Sequence, residues 1–244
     1  MTLIGQTRAR AVATLSLDSV PTRNALSAAL VGELAEALTD CAKDPDVRAV
    51  VLTHTGTTFC AGADLRDPPH PDALVQLLRQ IVELPKPVVA RISGHVRAGG
   101  LGLLAACDIA AASAESTFAF TEVRIGVAPA VISLTLLPRA DPRVLARYYL
   151  TGERFGPPEA VRLGLLTAAA DDVDTALQPV LDGLRRAAPG ALAETKQLLT
   201  ARVLETFDRD AATLTALSAR LFSSEQAREG MTAFLERRDA AWVV

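Results

Sequence analysis

One carboxylate and two stretches of small residues carry the chemical signal in this sequence. Glu122 ends the strand-like run Ser116 to Thr121 and precedes the largely apolar VRIGVAPA, residues 123–130. A carboxyl at such an edge, once buried, has its pKa raised by desolvation and suits general acid/base work near neutral pH. By residue type alone the commoner outcome is an exposed loop carboxylate or an ion pair with Arg124.

The small-residue stretches are FCAGADL, Phe59 to Leu65, and AGGLG, Ala98 to Gly102. Glycine permits close backbone approach and positive φ, so either loop can aim amide N–H groups at a ligand. Where the second loop opens a helix, its unpaired N–H groups and the helix dipole favour a developing anion. Close helix packing and turn geometry are the commoner explanation of AGGLG taken alone. The chain has neither the GxxxxGK-Ser/Thr phosphate loop nor the GxGxxG dinucleotide spacing, which leaves ATP and NAD with little support. Asp64 and Asp108 read as turn caps or buried acceptors rather than as proton-transfer groups.

The elements that must position these residues follow from pattern. Thr7 to Ser16 reads as short strands. Leu30, Leu34 and Leu38 recur four apart in a helix that Ser27 caps and Asp44-Pro45 stops. Val47 to Thr53 suits a buried strand, and a turn-rich segment leads to Pro68, Pro69 and Pro71. ALVQLLRQIVEL, residues 73–84, is a further helix, and a strand resumes at Val88. A turn after Gly94, a helix from about Gly99 through Ala106 and a strand from Asp108 complete a repeated strand, loop, helix order. That order predicts an α/β core with parallel crossovers and ligand-binding loops at the carboxyl ends of strands. The second half reads as mainly helical, with a break at Pro189-Gly190 and a last amphipathic helix. Phe207, Leu214, Leu217 and Leu221 are spaced for burial against the core or another subunit. A soft boundary separates residues 1–186, the core, from residues 187–244, a helical region.

Composition narrows the class of function. The 244 residues are 50% hydrophobic and 22% charged, enough for one sizeable core. A formal charge of -3, with no basic run, argues against nucleic acid as a partner. Ile125 to Pro138 is too short and too interrupted to span a bilayer, and the N-terminus has no secretory pattern. The 3 cysteines, Cys41, Cys60 and Cys107, form neither a disulfide framework nor a zinc pattern, which fits a reducing cytoplasm. His54, His70 and His95 show no metal-ligand spacing and read as polar surface or loop residues.

Taken together, RNALS (Arg23 to Ser27), FCAGADL, KPVVARISGHVRAGGLGLLAACDIAAA (Lys86 to Ala112), FAFTEVRIGVAPA (Phe118 to Ala130) and YYLTGERF (Tyr148 to Phe155) resemble the enoyl-CoA hydratase/isomerase, or crotonase, superfamily. The resemblance covers nearly the whole chain. It implies a spiral of ββα units in two roughly perpendicular sheets, followed by helices that mediate assembly into trimers or dimers of trimers. It also implies an acyl-CoA thioester substrate and no metal or redox cofactor.

By that resemblance the backbone N–H groups of Ala63 and Gly99 polarise the thioester carbonyl and stabilise an enolate, each such donor contributing on the order of 3 kcal/mol. Glu122 matches the second of the two glutamates typical of hydratases. The first falls on Gly102, which marks a single-glutamate variant, removes a negative charge and is expected to leave space. Hydration across the α,β double bond is the leading expectation, narrowly ahead of double-bond isomerisation. A branched or carboxylated enoyl-CoA such as 3-methylglutaconyl-CoA is a further expectation, with Arg97 or Arg124 meeting the distal carboxylate. The resemblance places CoA along Arg23, Ala25, Ala61, Asp64 and Leu65, with Phe234 and Arg238 near a ligand or a neighbouring subunit. The competing class is an acyl-CoA binder that has kept the fold without catalysis.

Overall fold

The computed structural model describes residues 2–244. β1 (Ile4–Ala9) and β2 (Val12–Leu17) pair antiparallel at one edge of a six-stranded sheet of order β1-β2-β3-β5-β7-β9. From β2 onward this sheet is parallel, through β3 (Ala49–His54), β5 (Val88–Ile92), β7 (Ile109–Ser113) and β9 (Ala168–Ala170). The short strands β4 (Thr58–Cys60), β6 (His95–Arg97) and β8 (Phe118–Ala119) form a second, parallel sheet.

From β3 onward, three successive turns of the chain each lay one strand in the large sheet and one in the small sheet before a helix. β3 and β4 lead to α2 (Pro71–Glu83), and β5 and β6 to α3 (Gly99–Ala106). β7 and β8 lead to a 3-10 turn, Glu122–Ile125, and then to α4 (Ser133–Leu136). This is the expected ββα spiral. Because β4, β6 and β8 run parallel and adjacent, the segments leaving them emerge side by side.

β3 is buried at every position, and its β-branched run is the signature of a strand covered on both faces. His54, at its end, is a correction to the surface reading. It is buried, its Nε2 accepts the Ser93 N–H at 3.1 Å, and loss of solvent lowers its pKa so that it stays neutral.

α1 (Ala28–Lys43) begins where Ser27 Oγ accepts the Leu30 N–H at 3.2 Å, and it buries Leu30, Leu34 and Leu38. α2 starts at Pro71, earlier than expected, because the first turn of a helix needs no N–H from proline. β9 was not expected at all, since three alanines carry no strand pattern.

The second half supplies α5 (Pro142–Thr151), α6 (Pro157–Arg162), α7 (Val173–Arg186), α8 (Pro189–Phe222) and α9 (Glu225–Glu236). Pro189 opens α8, so the break falls at the preceding alanines. α8 lies against α2 and sends Val203 and Phe207 into the main core. Lys196 anchors it: the buried ammonium meets Asp108 at 2.8 Å and donates to the Ile81 and Lys86 carbonyls. Asp108 also accepts the Val88 N–H, a structural role.

α9 returns to pack on the Glu122–Ile125 turn. The approach is close enough that a Cβ on Gly230 would stand 2.5 Å from the Ile125 carbonyl carbon, so only glycine fits.

Candidate active site

The loop after β4, the start of α3 and the turn after β8 line one cavity of about 1080 Å³. Its wall includes Arg23, Ala61, Ala63, Leu65, Gly99 and Glu122. Ala25 and Asp64 are not part of that wall. The Asp64 N–H is given to Leu26 O at 2.9 Å, and its Oδ1 accepts the Arg66 N–H at 3.0 Å.

The two amides are presented by separate devices. Leu26 bridges to the first loop through its N–H to Gly62 O, at 2.7 Å, and through its carbonyl to Asp64. The Ala63 N–H between these bonds has no acceptor among the described residues. Gly99 is the first residue of α3, where the N–H has no intrahelical partner. Ala98 before it holds φ 46 and ψ -120, a strained conformation for alanine that sets the direction of the Gly99 amide. A Cβ built on Gly99 would lie 3.9 Å from the Ala63 nitrogen, so the loops converge.

Glu122 is 8% exposed, and its Oε2 has no hydrogen-bond partner among the described residues. Desolvation raises its pKa from 4.5 to about 7, opposed only by its own backbone N–H. Arg124 makes no ion pair with it, since Arg124 Nε donates to Thr151 O. Tyr149 lies near enough for the Glu122 charge to add to the burial that raises the phenol pKa, and its hydroxyl meets Ser133 Oγ at 3.3 Å.

Cations collect at another part of the cavity. Arg97 is half-buried and tied to Thr117 through its carbonyl, at 2.6 Å, and its hydroxyl, at 2.7 Å. Burial, then Arg154 and Arg23, lower its pKa to about 10, which leaves it charged at neutral pH. None of these three arginines has a carboxylate partner among the described residues. Phe234 and Arg238 also line the cavity, the latter paired with Glu229 and Glu236.

The Gly102 position departs from expectation. It leaves no space, because Ile132 packs directly over it. Asn24, Arg154, Tyr149 and Ile132 were not singled out from sequence. Asn24 has a local signal in RNALS, and Tyr149 and Arg154 have one in YYLTGERF, while Ile132 joins the site only through tertiary packing.

Among the described residues no group of three His, Cys, Asp or Glu is placed to hold a metal, and the three cysteines are free and buried. No helix among them is long and apolar enough to cross a membrane.

A ββα spiral whose strand ends present two free amides and a buried carboxylate defines a class of enzymes acting beside a polarised carbonyl. The enoyl-CoA hydratase/isomerase family profile matches residues 7–243, and the chain belongs to that family. It is similar to the crystal structure of an enoyl-CoA hydratase from Mycobacterium avium, with 52% identity, full coverage of both chains (100% each) and a TM-score of 0.93. It is 30% identical to the (E)-benzylidenesuccinyl-CoA hydratase of Thauera aromatica over 95% of each chain. It is likewise 30% identical to the carnitinyl-CoA dehydratase of Proteus mirabilis over 91% of each.

Proposed function

We propose that this enzyme adds water across the α,β double bond of an enoyl-CoA thioester, or removes it, with Glu122 as its only side-chain acid/base. The observation that carries this reading is the buried carboxyl, with its pKa near 7, in one cavity with the free amides of Ala63 and Gly99. The amides stabilise charge on the thioester oxygen as the enolate develops. Glu122 takes a proton from water as oxygen adds to the β-carbon, and returns it to the α-carbon. CoA lies along Arg23, Ala61 and Leu65, with its phosphates toward Arg23, Arg97 and Arg154. That leaves Arg124, on the same turn as Glu122 and exposed to the cavity, as the cation for a distal acyl carboxylate.

A second reading is supported by the apolar wall at Ile132. One carboxylate facing such a wall also suits moving a proton between two carbons, which is isomerisation of a 3-enoyl-CoA. A product-resolved assay with crotonyl-CoA, 3-methylglutaconyl-CoA and a 3-enoyl-CoA separates these readings. Hydration predicts a 3-hydroxyacyl product from a 2-enoyl substrate. Conjugated product from the 3-enoyl substrate alone overturns it, and binding without turnover of any substrate supports the non-catalytic class.

We also assign residues 187–244 to assembly as a trimer or dimer of trimers. Exposed Leu198, Leu199, Phe234 and Leu235 on α8 and α9 support this, and sedimentation of the full chain tests it. Three free, buried thiols support a reducing, cytoplasmic setting.

A further inference from the structure

Gly102 and Ile132 form a matched pair. A Cβ built on Gly102 would lie 2.6 Å from Ile132 Cγ2, 3.0 Å from Ile132 Cβ and 3.4 Å from Leu78 Cδ1. The first distance is well inside van der Waals contact, and the obstacle is a branched carbon next to the backbone, which cannot swing aside as the end of a long side chain would. Ile132 is 3% exposed and forms part of the cavity wall, with Gly102 behind it.

The pair is also clamped. Thr135, fully buried, places its hydroxyl 3.2 Å from Gly102 O and 3.1 Å from Ile132 O. One side chain therefore ties the start of α4 to α3 at the point where Ile132 crosses Gly102. The Ile132 carbonyl also accepts the Thr135 and Leu136 N–H groups, which leaves the isoleucine little freedom to retract.

We propose that Ile132 holds this site to a single acid: clamped on Gly102 by Thr135, it fills the volume that any side chain at 102 would need and presents a methyl wall to the cavity. Proton transfer is thereby confined to Glu122. The chemical part of this inference rests on the hydratase reading above, whereas the packing part does not. A Gly102→Glu change by itself cannot supply a second acid here, because its stem has nowhere to go.

The test is a pair of double-mutant cycles on the full chain. In the native background, Gly102→Ala is expected to lower the thermal midpoint by roughly 3–10 °C, the scale of an overpacked methyl. In the Ile132→Ala background, which removes the Cγ2 obstacle at 2.6 Å and leaves the Cβ at 3.0 Å, the same change is expected to cost less than half as much. Equal losses in both backgrounds would overturn the pairing, and this cycle needs no substrate. In the second cycle, Gly102→Glu with Ile132→Ala is expected to add an ionisation to the pH profile of kcat/KM for crotonyl-CoA that Ile132→Ala lacks. Gly102→Glu alone should lose activity at least tenfold. A Gly102→Glu protein that folds normally and shows the new ionisation without any change at Ile132 would overturn the proposal. Full turnover by Glu122→Gln would instead overturn the hydratase reading.

Discussion

The amide nitrogen of Ala63 lies 3.9 Å from the point where a Cβ on Gly99 would stand, and neither N–H has an acceptor among the described residues. The two donors are thus held by the scaffold without contributing to its stability. Replacing the Gly99 N–H by an ester oxygen is expected to lower kcat by about 10²- to 10³-fold, about 3 kcal/mol, with little change in the thermal midpoint. A loss smaller than tenfold in a folded protein contradicts this role.

Glu122 binds its proton more tightly in the folded protein, with a pKa of about 7, than at its ordinary value of 4.5. Between those values the unfolded chain holds fewer protons, so stability falls as pH rises from 4.5 to 7. The cost, up to about 3 kcal/mol, is fully present above pH 7 and absent below the ordinary value. Glu122→Gln is therefore expected to be more stable than the parent at pH 8 and equal to it near pH 4.5, by urea unfolding at each pH. The same change is expected to lower kcat by about 10²- to 10⁴-fold. In the parent enzyme kcat/KM should fall tenfold per unit as pH drops below about 7, since Glu122 must be ionised to accept a proton from water.

Asn24 holds the entrance loop together. Its Oδ1 accepts the Ser19 N–H at 2.7 Å, and its Nδ2 donates to Thr55 O at 3.1 Å and Thr58 O at 2.7 Å. Asn24→Ala removes all of these from a fully buried position and is expected to destabilise the protein by about 2–4 kcal/mol in a denaturant titration. Because Arg23 O accepts the Ala61 N–H at 3.1 Å, KM for the acyl-CoA should also rise. A change under about 0.5 kcal/mol would show the loop to be held by other contacts.

Ala98 keeps a positive φ of 46° just before the Gly99 amide. Ala98→Gly relieves that strain and is expected to stabilise the fold by about 1 kcal/mol, raising the thermal midpoint by about 2–4 °C. An unchanged or lower midpoint would show that the conformation carries no strain.

Pattern made much of the fold legible. The β-branched runs of β3 and β5 and the four-residue leucine spacing of α1 each report a local period that survives packing. β8 lies within the strand-like run Ser116 to Thr121, but β4 and β6 are too short to show a period and β9 is all alanine, so these three exist only through their neighbours in the sheet. At the site, the environment of Glu122 could be inferred from the apolar residues beside it. The bond partners of Asn24 lie on a distant segment, and the isoleucine over Gly102 is thirty positions away in the chain. Space at Gly102 was therefore the natural expectation, and packing overturned it.

The proposed chemistry requires two amides and one carboxyl to converge on a thioester. A crystal structure with a bound, unreactive acyl-CoA tests this most directly. The thioester oxygen is expected about 2.7–3.1 Å from both the Ala63 and Gly99 nitrogens, with the Glu122 carboxyl beside the α-carbon. A carbonyl bound away from those nitrogens, or an acyl chain running away from Glu122, would contradict it.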